Sequence, residues 1–403
     1  MSASVPVRVG PWLAVVLAAA GLARAGAPGE IDGFVRRGGR YVPRYPYEAL
    51  RPRGTGLLHP LPPMPGVEAN PITPAKAELG RFLFFDPILS GDNRLSCAHC
   101  HDPSHGFSDG RPLSQGAGGR GLGPARSGGV ELPRNAPTLW NVAFNAWQFW
   151  DGRVQTLEEQ AQRPITDPRE MGEDPGRLME ELRAIGAYQA LFERAFGDGG
   201  PAPVTFENVT RALATFLRTL LAVDSRFDRY AAGDRSALSE QEREGLKLFR
   251  SLHTRCFECH ILPMFTDQTF RVIGAGAAPR ADLGRGSVEG AGPPFAFKVP
   301  SLRNVELTAP YMHDGSLVTL EEVVRFYAEG GGRREINPAS GIDGKILNFD
   351  LTETQTAALV AFLKSLTDRS LTPPPPASVP SGLPVLDGSA PASLRPAASP
   401  SVR

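Results

Sequence analysis

Cysteine is scarce in this chain, with four residues among 403. That excludes a disulfide-stapled scaffold, in which cysteine is far denser. Charge of one sign is not in excess: 43 Lys and Arg balance 43 Asp and Glu, for a formal net charge of +0. No basic run exceeds two residues, so the electrostatic footprint of a nucleic-acid binder is missing. Beyond the first 25 residues no stretch approaches a spanning length, since a membrane helix needs about 20 apolar residues. Strict alternation of apolar and polar residues is weak throughout, which argues against an all-β fold.

What is present begins with a leader. Arg8, the apolar run "WLAVVLAAAGLA" and Ala23-Arg24-Ala25 read as the three parts of a secretory signal over residues 1–25. The mature protein is expected to be exported and periplasmic, with no stable membrane insertion. Gly (44) and Pro (39) are abundant, so long loops and loose ends are expected. Residues 26–65 read as an extended lead-in, and the Pro/Ser/Ala-rich segment 371–403 as a disordered tail.

Helix starts stand out by their caps. Thr73 followed by Pro74 opens "AKAELGRFLFF". Capping boxes pair Thr156 with Glu159, Ser239 with Glu242, Thr319 with Glu322 and Thr352 with Gln355. The helix of residues 156–163 is expected to stop at Pro164. Residues 175–196 and 204–223 read as two amphipathic helices, and the junction at 221–235 as a domain boundary. Between Gly110 and Gly129 runs a glycine-rich loop of a length that marks functional or disordered segments.

All four cysteines fall in two copies of one pattern, "SCAHCH" at 96–101 and "RCFECH" at 255–260. Cys-x-x-Cys-His is the attachment signal of c-type haem. Two thiols at that spacing reach the two vinyl groups of one porphyrin, and the next His ligates the iron. Cys97, Cys100 and His101 are thus expected to hold one haem, and Cys256, Cys259 and His260 a second. Zinc is the rival, but it needs four ligands together. A redox disulfide is another, but a His follows each pair and no βαβ pattern surrounds it. The fold expected is mainly α: two cytochrome c-like haem domains with long loops, at 66–222 and 223–370. Five other histidines remain, at 59, 99, 105, 253 and 313, and no His or Met lies between His105 and Arg134. The first haem is therefore expected to keep an open outer face, where a small ligand can bind.

The stretch "RNAPTLWNVAFNAWQFWDGRVQTLEEQAQRPITDPREMG" at 134–172 and "FKVPSLRNVELTAPYMHDGSLVTLEEVV" at 297–324 resemble the dihaem cytochrome c peroxidase family, to which MauG also belongs. The likeness extends over roughly 70–368. It implies a hydrogen-peroxide-reducing enzyme in which Glu170 and Gln160 lie over the first haem. A carboxylate of raised pKa can take and return the proton that O–O cleavage requires. The resemblance further implies that Trp150 relays charge between the haems. Asn135, Thr308 and Pro310 match the family's calcium site, with oxygen donors that suit the ion. At the iron of the second haem, typical members place Met; alignment of the "PYMHDG…LEEVV" block puts Tyr327 there, with Met312 and His313 as alternatives. A phenolate would lower the potential, as in MauG-like enzymes, which oxidise a partner protein. The implied partners are a small electron donor (cytochrome c or cupredoxin) or a protein substrate, and the family is often homodimeric. The competing class is a dihaem electron carrier with both irons closed.

Overall fold

The computed structural model describes residues 31, 34–37, 39–44, 57–197, 202–276, 282–332, 341–370 and 372–386; the expected signal segment lies outside them. Nine α-helices are assigned among these residues, with two short antiparallel ribbons. None of the described helices is long and apolar enough to cross a membrane.

Each half is built on one pair of crossed helices. In the first, α1 (Pro74–Phe85) packs on α5 (Phe206–Leu217); in the second, α7 (Glu240–Phe249) packs on α9 (Glu353–Ser365). Glycine makes both crossings possible. A Cβ at Gly80 would run into the carbonyl of Ala212, and one at Gly245 into that of Ala358. Phe84 and Phe85 meet Phe216 across the first crossing, and Phe249 meets Phe362 across the second. Two separate aromatic-rich cores result.

The predicted caps are where the sequence places them. Thr73 Oγ1 accepts from Lys76 N–H at 3.3 Å, and the boxes at Thr156, Ser239, Thr319 and Thr352 all close. Other expectations need correction. The helix α2 (Leu157–Thr166) runs through Pro164, because the turn after it folds back: Met171 N–H donates to Pro164 O and Glu173 N–H to Ile165 O. Residues 175–196 break at Ile185 into α3 (Pro175–Ala184) and α4 (Gly186–Phe196). The short α6 (Arg226–Ala231) occupies the expected boundary, and α8 (Leu320–Ala328) precedes α9.

The lead-in is not merely extended. β1 (Phe34–Arg37) and β2 (Arg40–Pro43) form a hairpin. Phe34 seats in a small core with Ile72, Phe144, Leu221 and Met264, drawn from both halves. The expected disordered tail also shortens. Residues 372–386 return to the first half, where Val379 joins its core and Ser381 Oγ donates to the buried Asp86 at 2.6 Å. The remainder, 387–403, lies outside the described residues.

Candidate haem sites

Each Cys-x-x-Cys-His forms one tight 3-10 turn, Cys97–His99 or Cys256–Glu258. The amide of His101 donates to Cys97 O, and that of His260 to Cys256 O, both at 3.0 Å. The rings are then fixed from behind. His101 Nδ1–H donates to Phe107 O at 3.0 Å and His260 Nδ1–H to Phe265 O at 2.8 Å. Phe107 and Phe265 sit at φ 58° and 55°, which turns their carbonyls toward the imidazoles. With the proton held on Nδ1, each Nε2 presents a lone pair suited to a metal.

The thiols fit covalent attachment better than zinc. All four are free. Burial pushes Cys97 and Cys100 up to about 12 and Cys256 to about 11, so without a bound metal cation they stay protonated. Among the described residues no group of three His, Cys, Asp or Glu is gathered to hold a metal ion. His101, His260, Cys97, Cys100 and Cys256 are crowded by protein yet only half-buried. Side chains lining an internal hollow behave in this way. Beside the first hollow, the indole Nε1 of buried Trp140 has no hydrogen-bond partner, a vacancy that a polar group in the hollow could satisfy.

Around the first motif, α2 carries Gln160, half-buried, and the back-folded turn carries Glu170. Burial raises the pKa of Glu170; Asp167 adds to this, and Arg153 and Arg169 oppose it. The Glu170 charge in turn acts on Cys97 and Cys100, which places the carboxylate at the same hollow. The glycine-rich loop is ordered around one buried cation. Arg126 donates to the carbonyls of Gln115 (2.8 Å), Gly121 (3.1 Å) and Gly116 (3.2 Å).

Trp150 lies between the halves and is gripped by both. Its Nε1–H donates to Asn135 O at 3.0 Å, and its own carbonyl accepts from Lys298 N–H at 2.8 Å. These two residues occupy equivalent places in an internal repeat, "NAPTLWNV" and "KVPSLRNV". Asn141 and Asn304, six positions further on in each copy, both take left-handed backbone (φ 58° and 59°). Ser108 Oγ–H donates to Ala136 O as Thr266 Oγ1–H donates to Val299 O. Asn135 Nδ2 donates to Arg111 O at 2.6 Å, and its amide to His313 O at 2.7 Å. Thr308 abuts the first half at Gly106, and Pro310 is buried beside it. The three residues expected at a calcium site are thus at the junction of the halves. Arg134 bridges the same junction, 2.7 Å from Asp151 and 2.6 Å from Asp282.

At the second motif, α8 turns Tyr327 inward. The residue is half-buried within the fold, and its phenol is raised by burial and then by Cys259 and Cys256. Met312 instead sits at φ 75° in the turn that Asn135 pins through His313, and His313 stacks on Phe297 at 3.7 Å. The other histidines are engaged elsewhere or exposed: His59 is at the surface, His99 accepts from Ser96 N–H (3.0 Å), His105 pairs with Asp102 and His253 bonds Asp350 O.

Comparison with known proteins agrees with this duplicated arrangement. The family model described as di-haem cytochrome c peroxidase matches residues 74–236. The methylamine utilization protein MauG of Methylorubrum extorquens is 42% identical over 309 residues, 75% of this chain and 81% of that protein. The chain belongs to the di-haem cytochrome c peroxidase family. Cytochrome c551 peroxidase of Pseudomonas aeruginosa is 36% identical over 299 residues, 72% of this chain and 83% of that protein. A crystal structure of a MauG-like protein associated with microbial copper homeostasis aligns with TM-score 0.70 and 34% identity, over 80% of this chain and 98% of that one.

As a member of this di-haem peroxidase family the chain is an enzyme with two haem attachment sites, one per half. Two basic side chains at these sites escaped sequence reading. Arg126 is one of three arginines in the glycine-rich loop, and only its burial reveals it. Lys298 lies inside a quoted signature, but only its asymmetry with Asn135 in the repeat could have singled it out.

Proposed function

We propose that this chain reduces hydrogen peroxide at the haem of Cys97, Cys100 and His101, with the haem of Cys256, Cys259 and His260 as its redox partner. The observation that carries this is Glu170: a carboxylate of raised pKa at the first hollow, with no hydrogen bond to its side chain among the described residues. A group so placed is free to take a proton from the near oxygen of peroxide and return it to the leaving one. Gln160 orients the ligand by hydrogen bonding and cannot titrate. The haem, when bound, supplies the iron and the electrons for O–O cleavage. Four of the five remaining histidines are engaged elsewhere and His59 is at the surface, which supports an open outer face on the first haem. Trp150, held by both halves, provides a π system between them.

Tyr327 is the proposed second ligand of the C-terminal haem, supported by its influence from Cys256 and Cys259. This favours a MauG-like variant of the reaction, in which oxidising power is stored and delivered to a partner protein rather than replenished by a small cytochrome or cupredoxin. Asn135 Oδ1 and the carbonyls of Thr308 and Pro310 would offer a calcium ion hard oxygen donors where the halves meet. Residues 1–25, read as an export signal, would carry the reaction to the periplasm.

The test is rapid mixing of the haem-loaded protein with peroxide. Glu170→Gln should slow the reaction by a factor of about 10²–10⁴, with haem content unchanged. An equal rate in the variant removes Glu170 from the chemistry, and a wild type that reacts with neither peroxide nor cyanide is an electron carrier.

A further inference from the structure

Lys298 is an ammonium with no visible counter-charge. No hydrogen bond or ion pair to its Nζ is formed among the described residues, and no carboxylate acts on it. Burial alone lowers its pKa, to about 8. Even so, the residue is only half-buried by solvent exposure, like the haem-attachment residues. The haem-attachment side chains show the same combination of crowding and partial exposure. A cation in such a place needs an anion, because desolvation otherwise disfavours its charge.

Its position says which hollow. β3 (Phe270–Arg271) and β4 (Phe297–Lys298) pair with Phe270 opposite Lys298. The ribbon lies against the second haem motif: Val299 O accepts from Thr266, the Pro300 carbonyl reaches the His260 ring, and Arg271 acts on Cys259. Alternation along the strand sends Phe297 toward His313 and Lys298 to the opposite face. The amide of Lys298 also holds the Trp150 carbonyl.

We propose that Lys298 is the counter-cation for a propionate of the haem attached through Cys256 and Cys259. A haem brings two carboxylates to its hollow, and this wall offers one a fixed positive partner. The inference rests on haem attachment at the second motif and is independent of the peroxide chemistry. Its consequence concerns Trp150. An unbalanced positive charge beside the indole would oppose its oxidation, and a paired propionate cancels that charge. On the Phe297 face, Arg134 is already paired with Asp151 and Asp282.

The test is a redox titration of the two-haem protein, followed by EPR so that each haem is read separately. Lys298→Met should shift the midpoint of the second haem to lower potential, since the lost cation had favoured the less positive ferrous iron, while Lys298→Arg should hold it near wild type. The first haem should not move. An unshifted second haem in Lys298→Met, or a shift confined to the first, overturns the assignment. The wild type gives a reading that needs no variant. Infrared difference spectra with haem labelled by 13C at its propionates should show an ionised carboxylate down to about pH 5, because a nearby ammonium depresses carboxyl pKa values; a protonated band for both propionates there contradicts the pairing. Mass analysis showing a single attached haem would instead remove the attachment on which the proposal rests.

Discussion

Burial sets the proton affinity of Glu170 more than any one neighbour does; Asp167 is the largest neighbouring influence and Arg153 the largest that opposes it. The sign follows directly. A carboxylate whose pKa is raised is protonated at low pH and cannot accept the proton of peroxide, so the peroxide rate should rise with pH through an inflection above the ordinary value of about 4.3. The Arg153 guanidinium favours the ionised form, so Arg153→Gln should move that inflection upward. Asp167→Asn should move it downward, because the Asp167 charge opposes ionisation. Stopped-flow rates across pH check both; inflections that stay put in both variants would assign the profile to another group. The same scale shows why His99 is silent despite lying inside the motif. Burial and Arg126 lower it to about 4, and Ser96 donates to its Nδ1, so it stays neutral and locked near physiological pH.

Crossed helices held by a glycine make up each half, and the contact tolerates no side chain. Gly245→Ala would drive a methyl into the Ala358 carbonyl, a backbone atom that cannot step aside. Overpacking of this kind costs about 1–3 kcal/mol, so thermal melts of the haem-loaded variant should show a clear loss of stability with the second core affected first. A melt identical to wild type would mean that α7 and α9 slide apart at no cost. Helix starts were readable because a cap is a local event, decided within four residues, as at Thr73 and Ser239. Endings were less so. Pro164 forfeits one helical bond, yet α2 continues because Met171 and Glu173 fold back to bond it, and nothing local to Pro164 announces that. The hairpin at Phe34 and the docked tail at Ser381 depend on partners far away in the chain: Met264 for one, Asp86 for the other. The site divides in the same way. Attachment cysteines and histidines follow from spacing, and Glu170, Trp150 and Tyr327 from resemblance. Arg126 and Lys298 carry no local pattern, and only the folded surroundings mark them.

On the scale of the whole molecule, two copies of one haem-binding unit are joined so that a single tryptophan is fixed by the same position in each. That arrangement works only while the halves keep their register, and Arg134 is an ion-paired link that spans them. Its guanidinium binds Asp282 through Nε and Nη2 and Asp151 through Nη1, at 2.6–2.8 Å, and stacks over Phe297, the neighbour of Lys298. Arg134→Met keeps much of the apolar stem but leaves Asp282 with only the Gly284 amide among the described residues, while Asp151 retains Arg153. Breaking a buried pair from one side costs about 3–5 kcal/mol; this site is partly open to solvent, so a smaller loss of about 1–2 kcal/mol is expected. The informative result is its distribution. Both haem cores and their own helix crossings remain intact, so the loss should fall on the contact between halves. Denaturant unfolding followed separately by haem absorbance and tryptophan fluorescence should coincide in the wild type and separate in Arg134→Met. Coincident curves in the variant would place the coupling elsewhere, in the Phe34 core or in the returning tail, both of which also tie distant parts of the chain together.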